Sequence, residues 1–208
     1  MPQPKQMEKY LEHPLEYALK AHRSLTHDRL DHDLARKDFL EAAKVLKDSG
    51  ALSSVLLQFP YSFGYHAENR KYLLKLLSFL DDLPIVVEFR HPDWIKESVF
   101  ATLKENGWGV SMLDSPDTKG GMPSFQQVTS STGYLRFHGR NQDNWWTGDN
   151  VSRYDYEYSK EELEAWLPRI IDMSRLAKTT YISFNNHARG QAIKNANQLR
   201  SMLIKNSN

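Results

Sequence analysis

The sequence predicts an α/β chain built on a parallel sheet, either an open doubly wound sheet or a barrel. Three observations predict it. Short apolar or β-branched runs alternate with stretches of helical periodicity along all 208 residues. Most runs are closed by Pro, Gly or an acidic pair, which punctuate secondary structure. Polar side chains recur where the β-rich runs end, which is where α/β sheets place their ligands.

Residues 15–22 (LEYALKAH) read as the first strand. The next stretch, 33–47, reads as a helix carrying Leu34, Phe39, Ala42, Ala43 and Leu46 at near-helical spacing and ending before Gly50. A strand over 54–59 (SVLLQF) stops at Pro60, and a helix over 69–80 ends at Asp81 and Asp82. The clearest strand is 84–91 (PIVVEFRH), β-branched and stopped by Pro92. A helix over 93–106 closes at Gly107, and 109–114 (GVSMLD) reads as another strand. After a Gly- and Ser-rich loop comes 134–139 (YLRFHG). Ser159 has the form of an N-cap with Glu162 at the capping-box position, opening one helix to about residue 177. The last strand is 179–185 (TTYISFN), followed by an amphipathic helix over 190–205. The crossovers are right-handed by rule. Residues 1–208 are expected to form one domain.

Composition narrows the function. Lys and Arg number 27 against 26 Asp and Glu, so net charge exerts no pull toward nucleic acid or an anionic membrane. The absence of cysteine excludes disulfides, thiolate metal sites and a thiol nucleophile. No apolar run reaches membrane-spanning length, and the first residues lack a signal-peptide core, so a cytoplasmic protein is the expectation. Neither the Gly-x-Gly-x-x-Gly fingerprint nor a Walker loop is present, which argues against dinucleotide or P-loop binding.

Alternation along the strands selects the candidate site. Glu88 and Arg90 share one face of their run, and Arg136 and His138 share one face of theirs, each opposite apolar residues. Lys20, His22, Gln58, Asp114 and Asn185 stand at the ends of the other runs. Glu88, Asp114 and His138 are the candidates for acid–base chemistry. Lys20, His22, Gln58, Arg90, Arg136, Arg140 and Asn185 are the candidates for binding an anionic or phosphorylated small molecule. One alternative is a metal-dependent hydrolase or isomerase acting on nucleic acid or sugar, with His22, Glu88, Asp114 and His138 as ligands. Another is an ion-pair lattice, such as Glu88 with Arg136 or Asp114 with Arg90, and a third is an inactive or split fragment that needs a partner chain. The residues do not identify a cofactor. The aromatic loop 139–158, with Trp145, Trp146, Tyr154, Tyr156 and Tyr158, is read as packing rather than as a stacking platform, and Trp94 and Trp108 as core or rim. His27, His32 and His66 are read as surface residues, and Arg189-Gly190 as the opening of the last helix.

The segments VEFRHPDW (87–94), LDSP (113–116), YLRFHGR (134–140), YSKEELEAW (158–166) and FNNHARGQAIKNANQL (184–199) resemble the domain of unknown function 72 family, also called YecE-like. KAHRSLTH (20–27) and LLQFPYSF (56–63) resemble it as well. The resemblance implies a TIM-barrel-like fold of unestablished activity, with Glu88, Arg90, His91, Asp114, Arg136, His138, Asn185 and Asn186 at motif positions. It also implies an incomplete barrel of about six strands, because the family's first two strands have no match here and residues 1–13 resemble the helix that follows them. The expected consequence is an open sheet edge at 15–22 and at 179–185, to be covered by a partner chain or a second copy.

Overall fold

A computed structural model describes residues 7–29, 33–149 and 151–206. The chain divides into two compact units, Met1–Gly109 and Val110–Asn208.

In the first unit, β1 (Tyr17–Lys20), β2 (Leu52–Gln58) and β3 (Ile85–Glu88) form a parallel ladder in chain order. The short α1 (Arg23–Thr26) and long α2 (Asp33–Asp48) join β1 to β2, and α3 (Ala67–Phe79) joins β2 to β3. The register sets Gln58 beside Glu88, so both polar groups stand at the C-terminal edge. Beneath them the core holds Val55, Leu57, Val87 and Phe89, each almost fully buried. After β3 a single 3-10 turn, Pro92–Trp94, precedes α4 (Glu97–Glu105). One continuous helix over 93–106 was the expectation. The break has a physical cause: Trp94 stacks on Phe63 and Phe89, with ring centroids 5.2 and 4.5 Å away, and its indole N–H donates to the Phe63 carbonyl oxygen at 2.6 Å. That anchorage holds the turn apart from the helix. Trp108 is also buried, donating to Asp81 at 2.8 Å.

In the second unit, β4 (Gly109–Asp114), β5 (Thr132–Phe137) and β6 (Thr179–Phe184) form another parallel ladder in chain order. Met112, Leu135 and Phe137 face a core completed by Leu163 of α5 (Lys160–Glu164), Ile170 and Met173 of α6 (Leu167–Leu176) and Leu199 of α7 (Gln191–Asn206). The capping box is present: Ser159 Oγ accepts from the Glu162 N–H, and the Glu162 carboxylate accepts from the Ser159 N–H. The helix it opens is two helices rather than one. Pro168, at the second position of α6, has no N–H to give to the Glu164 carbonyl four residues back. Strand β5 begins two residues earlier than its pattern suggests and ends at Phe137, because Gly139 takes φ +83 and turns the chain. A Cβ there would lie 2.8 Å from the Tyr156 Cβ, so only glycine allows this turn. Unlike β4, which is buried throughout, β6 is half-exposed along most of its length.

The first strand is shorter than its pattern, Tyr17–Lys20, and a 3-10 turn at Lys9–Glu12 precedes it. Residues 1–6 and His32 lie outside the described residues. Among the described residues no helix is long and apolar enough to cross a membrane.

Candidate functional site

At the strand ends of the first unit two polar pairs form. Lys20 Nζ donates to Gln58 Oε1 at 3.0 Å. Arg90 Nε donates to Glu88 Oε1 at 2.6 Å, and Glu88 is fully buried while Arg90 is mostly so. His22 caps α1 instead of facing this pair: its Nδ1 accepts from the Ser24 N–H at 3.3 Å and lies 2.9 Å from Ser24 Oγ. His66 is exposed, and His27 is half-buried.

At the strand ends of the second unit the candidates divide between the two faces of the sheet. Leu113 of β4 registers with Arg136, and Arg136 with Ser183 of β6, so Arg136 lies on the face opposite Met112, Leu135 and Phe137. Its guanidinium donates from Nη2 to Asn185 Oδ1 at 2.8 Å, joining the ends of β5 and β6. His138, two residues on and fully buried, lies beneath the 139–158 loop, its ring 6.5 Å from Trp145 and 6.0 Å from Tyr154 between centroids. His187 stands 5.6 Å from the same Tyr154 ring between centroids. Trp145 and Tyr158 are buried as the packing reading expects, whereas Trp146 is exposed.

Asp114 belongs to the other face. It shares parity with Met112, and Met112 packs into the helix-side core. Its Oδ1 accepts from Arg140 Nε at 2.9 Å and from Tyr158 Oη at 2.7 Å. Its Oδ2 accepts from Arg140 Nη2 at 2.5 Å and from Trp166 Nε1 at 2.7 Å. Four donors therefore saturate a buried carboxylate. Arg140 also donates from Nη1 to Glu162 Oε1 at 3.0 Å, and Tyr156 Oη donates to the same oxygen at 2.6 Å. The ionic partner of Asp114 within its own unit is Arg140. Asp114 and Arg140 thus engage each other, with a planar fork matched to both carboxylate oxygens. The hydrogen bond to Asp114 raises the Arg140 guanidinium further above its ordinary value.

Tyr158 completes the hub. Its hydroxyl gives its proton to Asp114 and accepts from the Gly139 N–H at 2.8 Å, which ties the turn after β5 to the end of β4. Burial, together with the Asp114 charge, pushes this phenol far above the ordinary tyrosine value of 10.0. The exposed flank shows a weaker form of the effect: burial and the bond to Glu162 push Tyr156 up to about 12. A raised folded-state pKa contributes stability that is complete below the unfolded value and is lost above it. Between pH ~10 and the folded pKa, Tyr158 therefore removes about 1.4 kcal/mol of stability for each pH unit. Urea unfolding at about pH 9 and about pH 11 should show this fall, and Tyr158→Phe should flatten it. An equally steep fall in Y158F would assign the alkaline loss elsewhere.

Beside the hub a cavity of about 360 Å³ opens at the end of β4, walled by Leu113, Met122, Trp166 and Arg169 among others. Sequence reasoning missed Tyr158, Glu162, Trp166 and Arg169 as members of this region. The capping box did single out Glu162, but for the helix and not for the ion pair. Among the described residues no group of three or more His, Asp or Glu side chains is placed to hold a metal ion.

The molecule is an α/β chain with six parallel strands and flanking helices, of the incomplete TIM-barrel-like class. It belongs to the family described as protein of unknown function DUF72, whose model matches residues 1–208. Among curated proteins it is similar to the UPF0759 protein YunF of Bacillus subtilis, 30% identical over 205 residues, covering 90% of this chain and 73% of that protein. Among solved structures it resembles a DUF72 family protein from Thermotoga maritima, with 32% identity and a TM-score of 0.89 over 98% of this chain and 80% of that one. A DUF72 family protein from Enterococcus faecalis is similar at 26% identity and a TM-score of 0.86, over 97% of this chain and 80% of that one.

Proposed function

We propose that the chain binds an anionic small molecule, carrying phosphate or carboxylate, at the C-terminal ends of β5 and β6. The observation that supports this reading is the gathering of a buried guanidinium, a carboxamide and an imidazole on one sheet face, in Arg136, Asn185 and His138. Asn185 orients the Arg136 fork, so the loss of side-chain freedom on binding is already met before a ligand arrives. His138, beside Trp145 and Tyr154 and on the face of Arg136, is an imidazole suited to giving a proton to a bound oxyanion. The β/α architecture favours the same place, because its ligands sit at strand C-termini. The saturated oxygens of Asp114 favour this reading over the metal-dependent one, since a metal there would have to displace four hydrogen-bond donors.

The test is thermal unfolding with inorganic phosphate and a panel of phosphorylated and dicarboxylate metabolites. At least one compound should raise the midpoint, and Arg136→Ala should abolish that rise. A panel without any response, or a rise that Arg136→Ala leaves intact, would overturn the reading.

A further inference from the structure

The cavity beside Asp114 opens at the end of β4, is not lined by Arg136, His138 or Asn185, and is not needed for the anion reading. Its lining carries charge of both signs in balance: Asp114 and Asp117 against Arg140 and Arg169. Asp114 and Arg140 neutralise each other directly. The other two charges are left over. Among the described residues Arg169 meets no carboxylate: its Nη1 donates to the neutral Ser124 Oγ at 2.5 Å, and its guanidinium lies 5.0 Å over the Trp166 ring. Among the same residues the Asp117 carboxylate meets no cation. These two opposite charges line one hollow without pairing. Leu113, Met122 and Trp166 supply apolar wall between polar groups such as Ser115 and Gln142.

We propose that this cavity is a binding site for a small zwitterion, a free α-amino acid with an uncharged apolar side chain. Arg169 takes the carboxylate, Asp117 takes the ammonium, and the side chain rests against Met122 and Trp166. The ion pairs with ligand each replace solvent around a group that meets no opposite charge among the described residues, so charge complementarity is gained without breaking an internal bridge. Ser124 and the indole hold Arg169 in one place, which reduces the ordering that binding must supply. A cavity of about 360 Å³ holds a ligand of this size.

The experiment is thermal unfolding and calorimetric titration of the full chain with L-leucine, L-methionine and L-phenylalanine at millimolar concentration. Leucinamide, which lacks the carboxylate, and N-acetyl-leucine, which lacks the ammonium, are the controls. At least one amino acid should stabilise the chain, neither control should match leucine, and Arg169→Met and Asp117→Asn should each weaken binding by about tenfold or more. Asp117 is exposed and Arg169 half-buried, and an unchanged unfolding midpoint without ligand verifies that each variant folds. No stabilisation by any of the three amino acids, equal binding of the controls, or binding unaltered in both variants would overturn the proposal. The phosphate response that depends on Arg136 should persist in Arg169→Met, so failure of one reading is separable from failure of the other.

Discussion

Asp114→Asn should lower the unfolding free energy by about 3–5 kcal/mol, the range for removing one member of a buried ion pair. Asparagine keeps the volume but replaces one acceptor oxygen by an N–H donor. That donor would face Arg140 Nη2 and Trp166 Nε1, or Arg140 Nε and Tyr158 Oη, all of which are donating already. Among the described residues Arg140 would keep only Glu162 as its acidic partner. Because Tyr158 bridges Asp114 to the Gly139 N–H, the change should also loosen the turn that follows β5. Urea unfolding measures the loss, and a double-mutant cycle assigns it. Asp114→Leu combined with Arg140→Met should lose less than the sum of the two single changes, since the pair then vanishes without leaving a buried charge. A loss under about 1 kcal/mol in Asp114→Asn would show that the four-bond hub is dispensable.

Trp94→Ala is expected to lower stability by about 3–5 kcal/mol. The indole is the middle member of an aromatic stack, between Phe89 and Phe63, and Phe63 in turn stacks on Phe59 at 4.2 Å. Alanine would leave a hollow among rigid rings, which collapse poorly onto missing volume, and would orphan the buried Phe63 carbonyl. Trp94→Phe separates the two contributions: the ring stack largely survives while the N–H is lost, so about 1–2 kcal/mol is expected. The 3-10 turn over Pro92–Trp94 depends on the same anchor, so far-ultraviolet circular dichroism of Trp94→Ala should report a longer or less ordered segment before α4. An unfolding midpoint equal to wild type would remove the stack from the account of the first unit's stability.

Strand and helix order were legible because each rests on local periodicity. All six strands stand where the apolar runs place them, and β4 matches its run residue for residue. The Ser159 and Glu162 capping box was legible for the same reason, since its two partners are three residues apart. The helices over 93–106 and 160–177 read as continuous because helical periodicity survives a one-turn interruption. The interruptions come from the missing N–H of Pro168 and from a tertiary anchor on Trp94.

For the candidate site, alternation along β5 correctly separated Arg136 from Leu135 and Phe137, because polar and apolar residues there occupy different faces. On β4 it grouped Asp114 with Val110 and Met112, as the structure does, but counted that face with the one carrying Arg136, whereas Met112 packs with Leu135 and Phe137. Val110, Ser111, Met112 and Leu113 are buried alike, so hydrophobicity carries no sign of which side holds the helices.

The local pattern of this protein therefore determined an α/β chain of six strands with polar groups at their ends. Only the tertiary structure decided that Asp114 closes onto Arg140, Tyr158 and Trp166, at separations of 26, 44 and 52 residues. Backbone periodicity is set by neighbours a few residues away. The partner of a buried charge is set by whichever distant segment packing brings within hydrogen-bond reach, and no local spacing encodes that choice.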